Sequence, residues 1–238
     1  MIERGIERGI GAGAGSRIGI KIDIKICGLN REDAVDTAVR EGADWLGFVF
    51  FARSPRAVTP AQAAVLAARH PGAAPAVGLF VRPTEAEVAA CLDRVPLAAL
   101  QLYGAPEQVQ ALQARFGLPV WHACAVAERA DLPRETSADR LLIESRPPAD
   151  ADRPGGNGVA LDWGLLRGWA APAPWMLAGG LTADNVGEAV RASGAPAVDV
   201  SSGVECQPGV KDPARIAAFI RAARDAHRAS LGASGRVG

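Results

Sequence analysis

Two apolar runs near the C-terminus, Trp175-Met176-Leu177-Ala178-Gly179-Gly180-Leu181 and Val198-Asp199-Val200-Ser201-Ser202-Gly203-Val204-Glu205, stop abruptly in small residues. A ligand approaches the backbone closely only where no side chain intervenes. Two such ends side by side would aim several N–H groups at one point, as a phosphate requires. The two strand ends are therefore a candidate phosphate cradle. Cys27 ends another run, Lys25-Ile26-Cys27-Gly28, on the same strand face as Lys25. A thiol there acts as base or nucleophile once its pKa is lowered, although a small buried core cysteine gives the same pattern. Glu144 follows the apolar Leu141-Leu142-Ile143. Desolvation would raise its pKa and suit it to general-acid work; a surface or salt-bridged glutamate is the plainer alternative.

Other run ends carry binding groups. Arg56, next to Pro55, has the fork that fits a carboxylate or phosphate, or it is a solvated loop charge. Gln101 and Tyr103 share one face of Gln101-Leu102-Tyr103-Gly104 and either orient a polar substrate or cap the core. The long segment Ser145 to Ala160, with Gly155-Gly156-Asn157-Gly158, has the length of a functional lid or of a slack connection. His70, His122 and His227 show no metal-ligand spacing, and His122 within an apolar strand reads as a satisfied core histidine.

These ends have to be positioned by regular elements. Strands are predicted at Ile22–Cys27, Trp45–Phe50, Ala76–Val81, Ala98–Leu102, Val120–Ala123, Arg140–Glu144, Trp175–Ala178 and Ala197–Ser201. Helices are predicted at Arg31–Glu41, Pro60–Arg69, Thr84–Arg94, Pro106–Phe116, Asp162–Trp169, Thr182–Ser193 and Asp212–Arg228, with only a turn or two between the fifth and sixth strands. Asn30, Thr59-Pro60, Thr84, Ala105-Pro106, Thr182 and Asp212-Pro213 supply starts. Near-continuous apolar strands alternating with helices are covered on both faces, which fits an α/β fold: a single (β/α)8 TIM barrel with a parallel eight-stranded barrel. A doubly wound sheet is disfavoured, because Cys27-Gly28-Leu29-Asn30 stands where GxGxxG would follow the first strand. In a barrel the C-terminal strand ends carry the chemistry, so the residues above converge.

Bulk properties narrow the class. The chain has 238 residues, 49% of them hydrophobic, and a formal net charge of zero. Nucleic acid and membrane are poor partners for such a chain, and no apolar stretch reaches the ~18–20 residues of a membrane span. Cys27, Cys91, Cys124 and Cys206 are scattered without a CxxC pair and read as reduced cytoplasmic thiols. Residues 1–20, repeating Glu-Arg-Gly-Ile, read as a flexible extension without a secretory core; 21–228 read as the barrel domain and 229–238 as a tail.

Taken in order, Lys25-Ile26-Cys27-Gly28, Ser54-Pro55-Arg56, Gln101-Leu102-Tyr103-Gly104, Gly155-Gly156-Asn157-Gly158 with Asp162-Trp163, Ala178-Gly179-Gly180-Leu181 with Asn185-Val186, and Asp199 to Glu205 with Gly209-Val210-Lys211-Asp212 resemble the phosphoribosylanthranilate isomerase family of tryptophan biosynthesis. The resemblance implies an Amadori rearrangement of N-(5-phosphoribosyl)anthranilate to 1-(2-carboxyphenylamino)-1-deoxyribulose 5-phosphate, with no cofactor and no metal. It implies Cys27 as general base, Arg56 as the anthranilate-carboxylate contact, Asp199 near the substrate, and Gly179, Gly180, Ser202 and Gly203 on the phosphate turns. The only implied partner is a small sugar phosphate; the protein is expected as a monomer or homodimer. Two positions depart from the family pattern. Glu144 replaces an aspartate acid, which moves the carboxyl by roughly 1.5 Å, on the scale where misplacement costs about 10²-fold. Tyr103 replaces a histidine and does not carry charge near neutral pH. Those departures leave two rivals: a barrel isomerase for another aminated ribose phosphate, and a catalytically silent phosphate-binding relative.

Overall fold

A computed structural model describes residues 21–147 and 160–234. Its eight long-range strands are β1 (Asp23–Cys27), β2 (Trp45–Val49), β3 (Ala76–Val81), β4 (Leu97–Tyr103), β5 (Val120–Val126), β6 (Arg140–Ser145), β7 (Trp175–Leu177) and β8 (Ala197–Val200). They close in sequence order into one barrel. Every neighbouring pair is parallel, and Lys25 of β1 stands beside both Trp45 of β2 and Asp199 of β8. Around the barrel lie α1 (Glu32–Arg40), α2 (Pro60–Ala67), α3 (Glu85–Leu92), α4 (Pro106–Phe116), α5 (Val186–Ser193) and α6 (Pro213–Ser234). A small hairpin of β9 (Glu205–Gln207) and β10 (Val210–Lys211) precedes α6.

The strands are apolar on both faces because both faces are buried. Inward-pointing Val77, Ala99, Trp121, Leu142, Met176 and Ala197 fill the barrel, while outward Ile24, Ile26, Phe48, Leu100, Leu102 and Ile143 join the helices in the main core. The N-terminal end is sealed by Arg140, whose guanidinium lies 5.8 Å from the ring centroid of Trp45 and 5.0 Å from that of Trp121.

The helix starts show which sequence signals hold. Thr59 and Thr84 form full capping boxes with Gln62 and Glu87. Asp212 accepts from the amides of Ala214 and Arg215 at the start of α6. Asn30 does not cap α1. Its Nδ2 donates to the carbonyl of Gly209 at 2.9 Å and ties the first loop to the hairpin. The predicted helix Asp162–Trp169 reduces to a 3-10 turn, Trp163–Leu166, because Gly164 follows at once and Gly168 takes a left-handed φ of 68°. The helix predicted from Thr182 starts only at Val186, and the intervening residues form a turn. β4 and β5 run further than predicted, to Tyr103 and Val126, and α6 continues to Ser234. The extension 1–20 and most of the segment Ser145–Ala160, with its Gly155-Gly156-Asn157-Gly158, lie outside the described residues. No helix among the described residues is long and apolar enough to cross a membrane.

Candidate active site

One cavity opens at the C-terminal end of the barrel. Cys27, Arg56, Tyr103, Glu144, Gly179, Gly180, Asp199, Ser202 and Gly203 all line it, together with apolar Val49, Phe51, Leu79 and Val81. The inward alternation of each strand brings Cys27, Tyr103, Glu144 and Asp199 to the same rim from β1, β4, β6 and β8. Gln101 is not among the lining residues. It sits two residues below Tyr103 on the same face, is fully buried, and neither amide atom finds a hydrogen-bond partner.

The two small-residue turns meet as their composition requires. Gly179 and Gly180 adopt left-handed φ angles of 82° and 65°, which glycine takes without steric cost. Asn185 Oδ1 accepts from the Thr182 amide at 2.8 Å and its Nδ2 donates to the Gly180 carbonyl at 2.9 Å, which fixes the first turn. A Cβ on Gly203 would fall 1.8 Å from the carbonyl oxygen of Leu181, so the second turn packs directly on the first. Ser202–Val204 forms a single 3-10 turn at that point.

Glu144 is the most perturbed carboxyl in the cavity. Burial pushes its pKa up to about 8, against a hydrogen bond from Tyr103 that favours the ionised form. Neighbouring Asp199 raises it further and Lys25 lowers it. The Tyr103 phenol is driven well above its ordinary value by burial and by Glu144 beside it, so it stays a neutral donor. Cys27 is also raised by burial, while the Lys25 ammonium works in the opposite direction. At neutral pH the cavity therefore presents a protonated carboxyl and a thiol.

Three charged residues that the strand-end reading passes over support this rim. Lys25, fully buried below Cys27, donates to Asp199 Oδ1 at 2.9 Å. Glu205 receives Arg56 through Nε at 2.6 Å and Nη2 at 2.9 Å, and Lys211 at 2.7 Å. Lys211 also donates to the carbonyl and hydroxyl of Ser201, at 2.9 and 3.2 Å. Burial opposes charge on Glu205, but its two cationic partners more than offset this and hold its carboxyl below the usual range. Arg56 is thus neither a solvated loop charge nor an isolated one: it is 4% exposed and clamped along one edge of its guanidinium. The one visible signal for these residues is charge at strand positions otherwise apolar, as in Ile24-Lys25-Ile26 and Val210-Lys211.

Outside the cavity, His122 Nε2 contacts the Gly104 carbonyl at 2.9 Å, the satisfied histidine that its apolar strand predicts. Among the described residues no His/Cys/Asp/Glu group comes together in a way that could hold a metal ion.

Residues 24–222 match the family model for N-(5'phosphoribosyl)anthranilate (PRA) isomerase. An N-(5'-phosphoribosyl)anthranilate isomerase of Paramagnetospirillum magneticum is 54% identical over 205 residues, covering 84% of this chain and 95% of that one. The crystal structure of the phosphoribosyl anthranilate isomerase of Thermotoga maritima superposes with a TM-score of 0.75 at 31% identity, covering 86% of this chain and 99% of that one. A crystal structure of phosphoribosyl anthranilate isomerase in complex with reduced 1-(o-carboxyphenylamino)-1-deoxyribulose 5-phosphate gives a TM-score of 0.73 at 29% identity over 86% and 99% of the two chains. With a closed barrel, one rim cavity and these relatives in hand, the chain belongs to the N-(5'-phosphoribosyl)anthranilate isomerase family.

Proposed function

We propose that this chain rearranges N-(5-phosphoribosyl)anthranilate to 1-(2-carboxyphenylamino)-1-deoxyribulose 5-phosphate, with Glu144 as general acid and Cys27 as general base. The observation that carries this reading is that both groups line one cavity with the paired glycine turns. The phosphate binds at Gly179, Gly180, Ser202 and Gly203 and fixes the ribose between acid and base, so that part of the barrier is met as lost orientational freedom. Glu144, protonated at neutral pH, gives its proton to the ring oxygen as the lone pair on the anthranilate nitrogen expels it. The product is an open-chain iminium. That cation acidifies the proton on C2; the Cys27 thiol releases its own proton to solvent at the cavity mouth, and the thiolate so formed removes the C2 proton. The resulting enolamine tautomerises to the ketose.

The remaining lining residues serve binding. Arg56 takes the anthranilate carboxylate with the edge of its guanidinium that Glu205 leaves open. Val49, Phe51, Leu79 and Val81 provide an apolar wall suited to an aromatic ring. The Tyr103 phenol beside Glu144 steadies its carboxyl. We read the enzyme as cytoplasmic and as a monomer or homodimer.

The test is complementation of a tryptophan auxotroph that lacks only this isomerase. Wild type restores growth, and Cys27→Ala and Glu144→Gln do not, with all three expressed at equal soluble levels. Failure of the wild type would overturn the assignment; full rescue by Cys27→Ala would remove the base.

A further inference from the structure

Lys25 has no place in the reaction above, and its position is unusual. An ammonium with no solvent exposure is costly unless paired. Among the described residues its one close ion-pair partner is Asp199, at 2.9 Å, across the seam where β1 meets β8. Gly47 on β2 marks how tightly the sulfur of Cys27 and the stem of Lys25 are packed. A Cβ there would lie 3.0 Å from Cys27 Sγ and 3.1 Å from Lys25 Cε. The two groups thus flank the same point on the inner barrel wall, with no room for a side chain between them.

From this geometry we propose that Lys25 is the positioning residue for Cys27: a buried ammonium, held by Asp199, that stabilises the thiolate and keeps the sulfur aimed into the cavity. The titratable groups facing Cys27 are Lys25 on its own strand, Asp199 on β8, Lys211 on β10 and the neutral phenol of Tyr103 on β4. Burial is the largest influence on the thiol and disfavours the thiolate. Lys25 is the leading group that opposes it, Asp199 adds to it, and Lys211 assists Lys25 from further away. The ammonium itself is held charged, because Asp199 and Cys27 outweigh its desolvation. Lys25 therefore works on Cys27 without touching substrate, since it does not reach the cavity surface.

The inference rests on Cys27 as the base, yet it is tested on the thiol itself. In a Cys124→Ser/Cys206→Ser background, the rate of Cys27 alkylation by iodoacetamide is followed against pH. Below the thiol's midpoint this rate tracks the thiolate fraction. Lys25→Met is expected to slow alkylation at pH 8 by about tenfold or more and to move the whole profile upward, the size of effect a nearby opposite charge exerts. Lys25→Met/Asp199→Asn avoids leaving an unpaired buried carboxylate and is expected to shift the profile in the same direction. An unchanged profile in either folded variant overturns the proposal. In the wild type, with lysine labelled by nitrogen-15, alkylation of Cys27 is expected to shift the Lys25 ammonium signal. A signal that does not respond overturns the proposal even where neither variant folds. Turnover that survived Cys27→Ala would remove the base assignment and leave the Lys25–Cys27 coupling standing, so the two failures are distinguishable.

Discussion

At the scale of single residues, the chemistry is set by which groups lose water and which gain partners. Glu144 and Glu205 are both glutamates, both buried, and sit in the same part of the molecule. Glu205 is surrounded by Arg56 and Lys211 and stays ionised. Glu144 has a phenol beside it and no close ion pair, so burial prevails and its pKa rises to about 8. A carboxyl with a raised native pKa binds its proton more tightly in the folded state. Its ionisation therefore weakens the fold as pH rises from the unfolded value to the native one. Glu144→Gln removes that penalty. The variant is expected to be more stable than wild type at pH 9, by on the order of a few kcal/mol, with the difference vanishing below about pH 4. Urea denaturation at the two pH values measures it, and an equal difference at both would refute the burial-driven shift. Cys27, Arg56 and Glu144 were legible as candidates because reactive or charged groups ending apolar runs stand out, whereas Asp199 came only from the family resemblance. The support beneath them was not legible. Lys25 and Asp199 are 174 residues apart, and Arg56 and Glu205 are 149 apart. Only closure of the ring makes them neighbours.

At the scale of elements, the rim depends on two turns that pack with almost no clearance. The steric margin at Gly203 is far tighter than anything a side chain tolerates, because the atom in the way is the Leu181 carbonyl rather than a flexible tip. Gly203→Ala is expected to displace the second turn from the first and to raise KM by at least about tenfold while the barrel still folds, since the strain is confined to a loop. Steady-state kinetics with a circular-dichroism control decide this; an unchanged KM would detach these turns from phosphate binding. The same turns explain where helix prediction slipped. Thr182 has the composition of an N-cap, but Asn185 takes up the Thr182 amide and the Gly180 carbonyl, so the chain spends its first residues shaping the turn. Asn30 is diverted in the same way, toward the Gly209 carbonyl. Thr59 and Thr84 have no such competing partner and cap as predicted. Local signals thus hold on the helical shell and yield to tertiary partners around the cavity.

At the scale of the whole molecule, the barrel separates two jobs. Its N-terminal end is closed by the edge-to-face pair Trp45 and Trp121 with the Arg140 guanidinium over their rings, and its C-terminal end holds the cavity with its polar lining. Alternation of apolar strands with amphipathic segments was enough to read this architecture from the sequence, because a parallel sheet covered on both faces leaves few other solutions. Relatives of the same fold and family bear it out. What alternation does not encode is how the longer carboxyl of Glu144 meets the sugar, and the proposed reaction turns on that residue. The most direct test is kcat for N-(5-phosphoribosyl)anthranilate in wild type and Glu144→Gln at neutral pH, measured on protein of matched fold. The amide keeps the shape and loses the proton. The expected result is a fall of at least about 10²-fold in kcat with KM little changed, as removal of a general acid entails. A kcat within about threefold of wild type would contradict Glu144 as the acid.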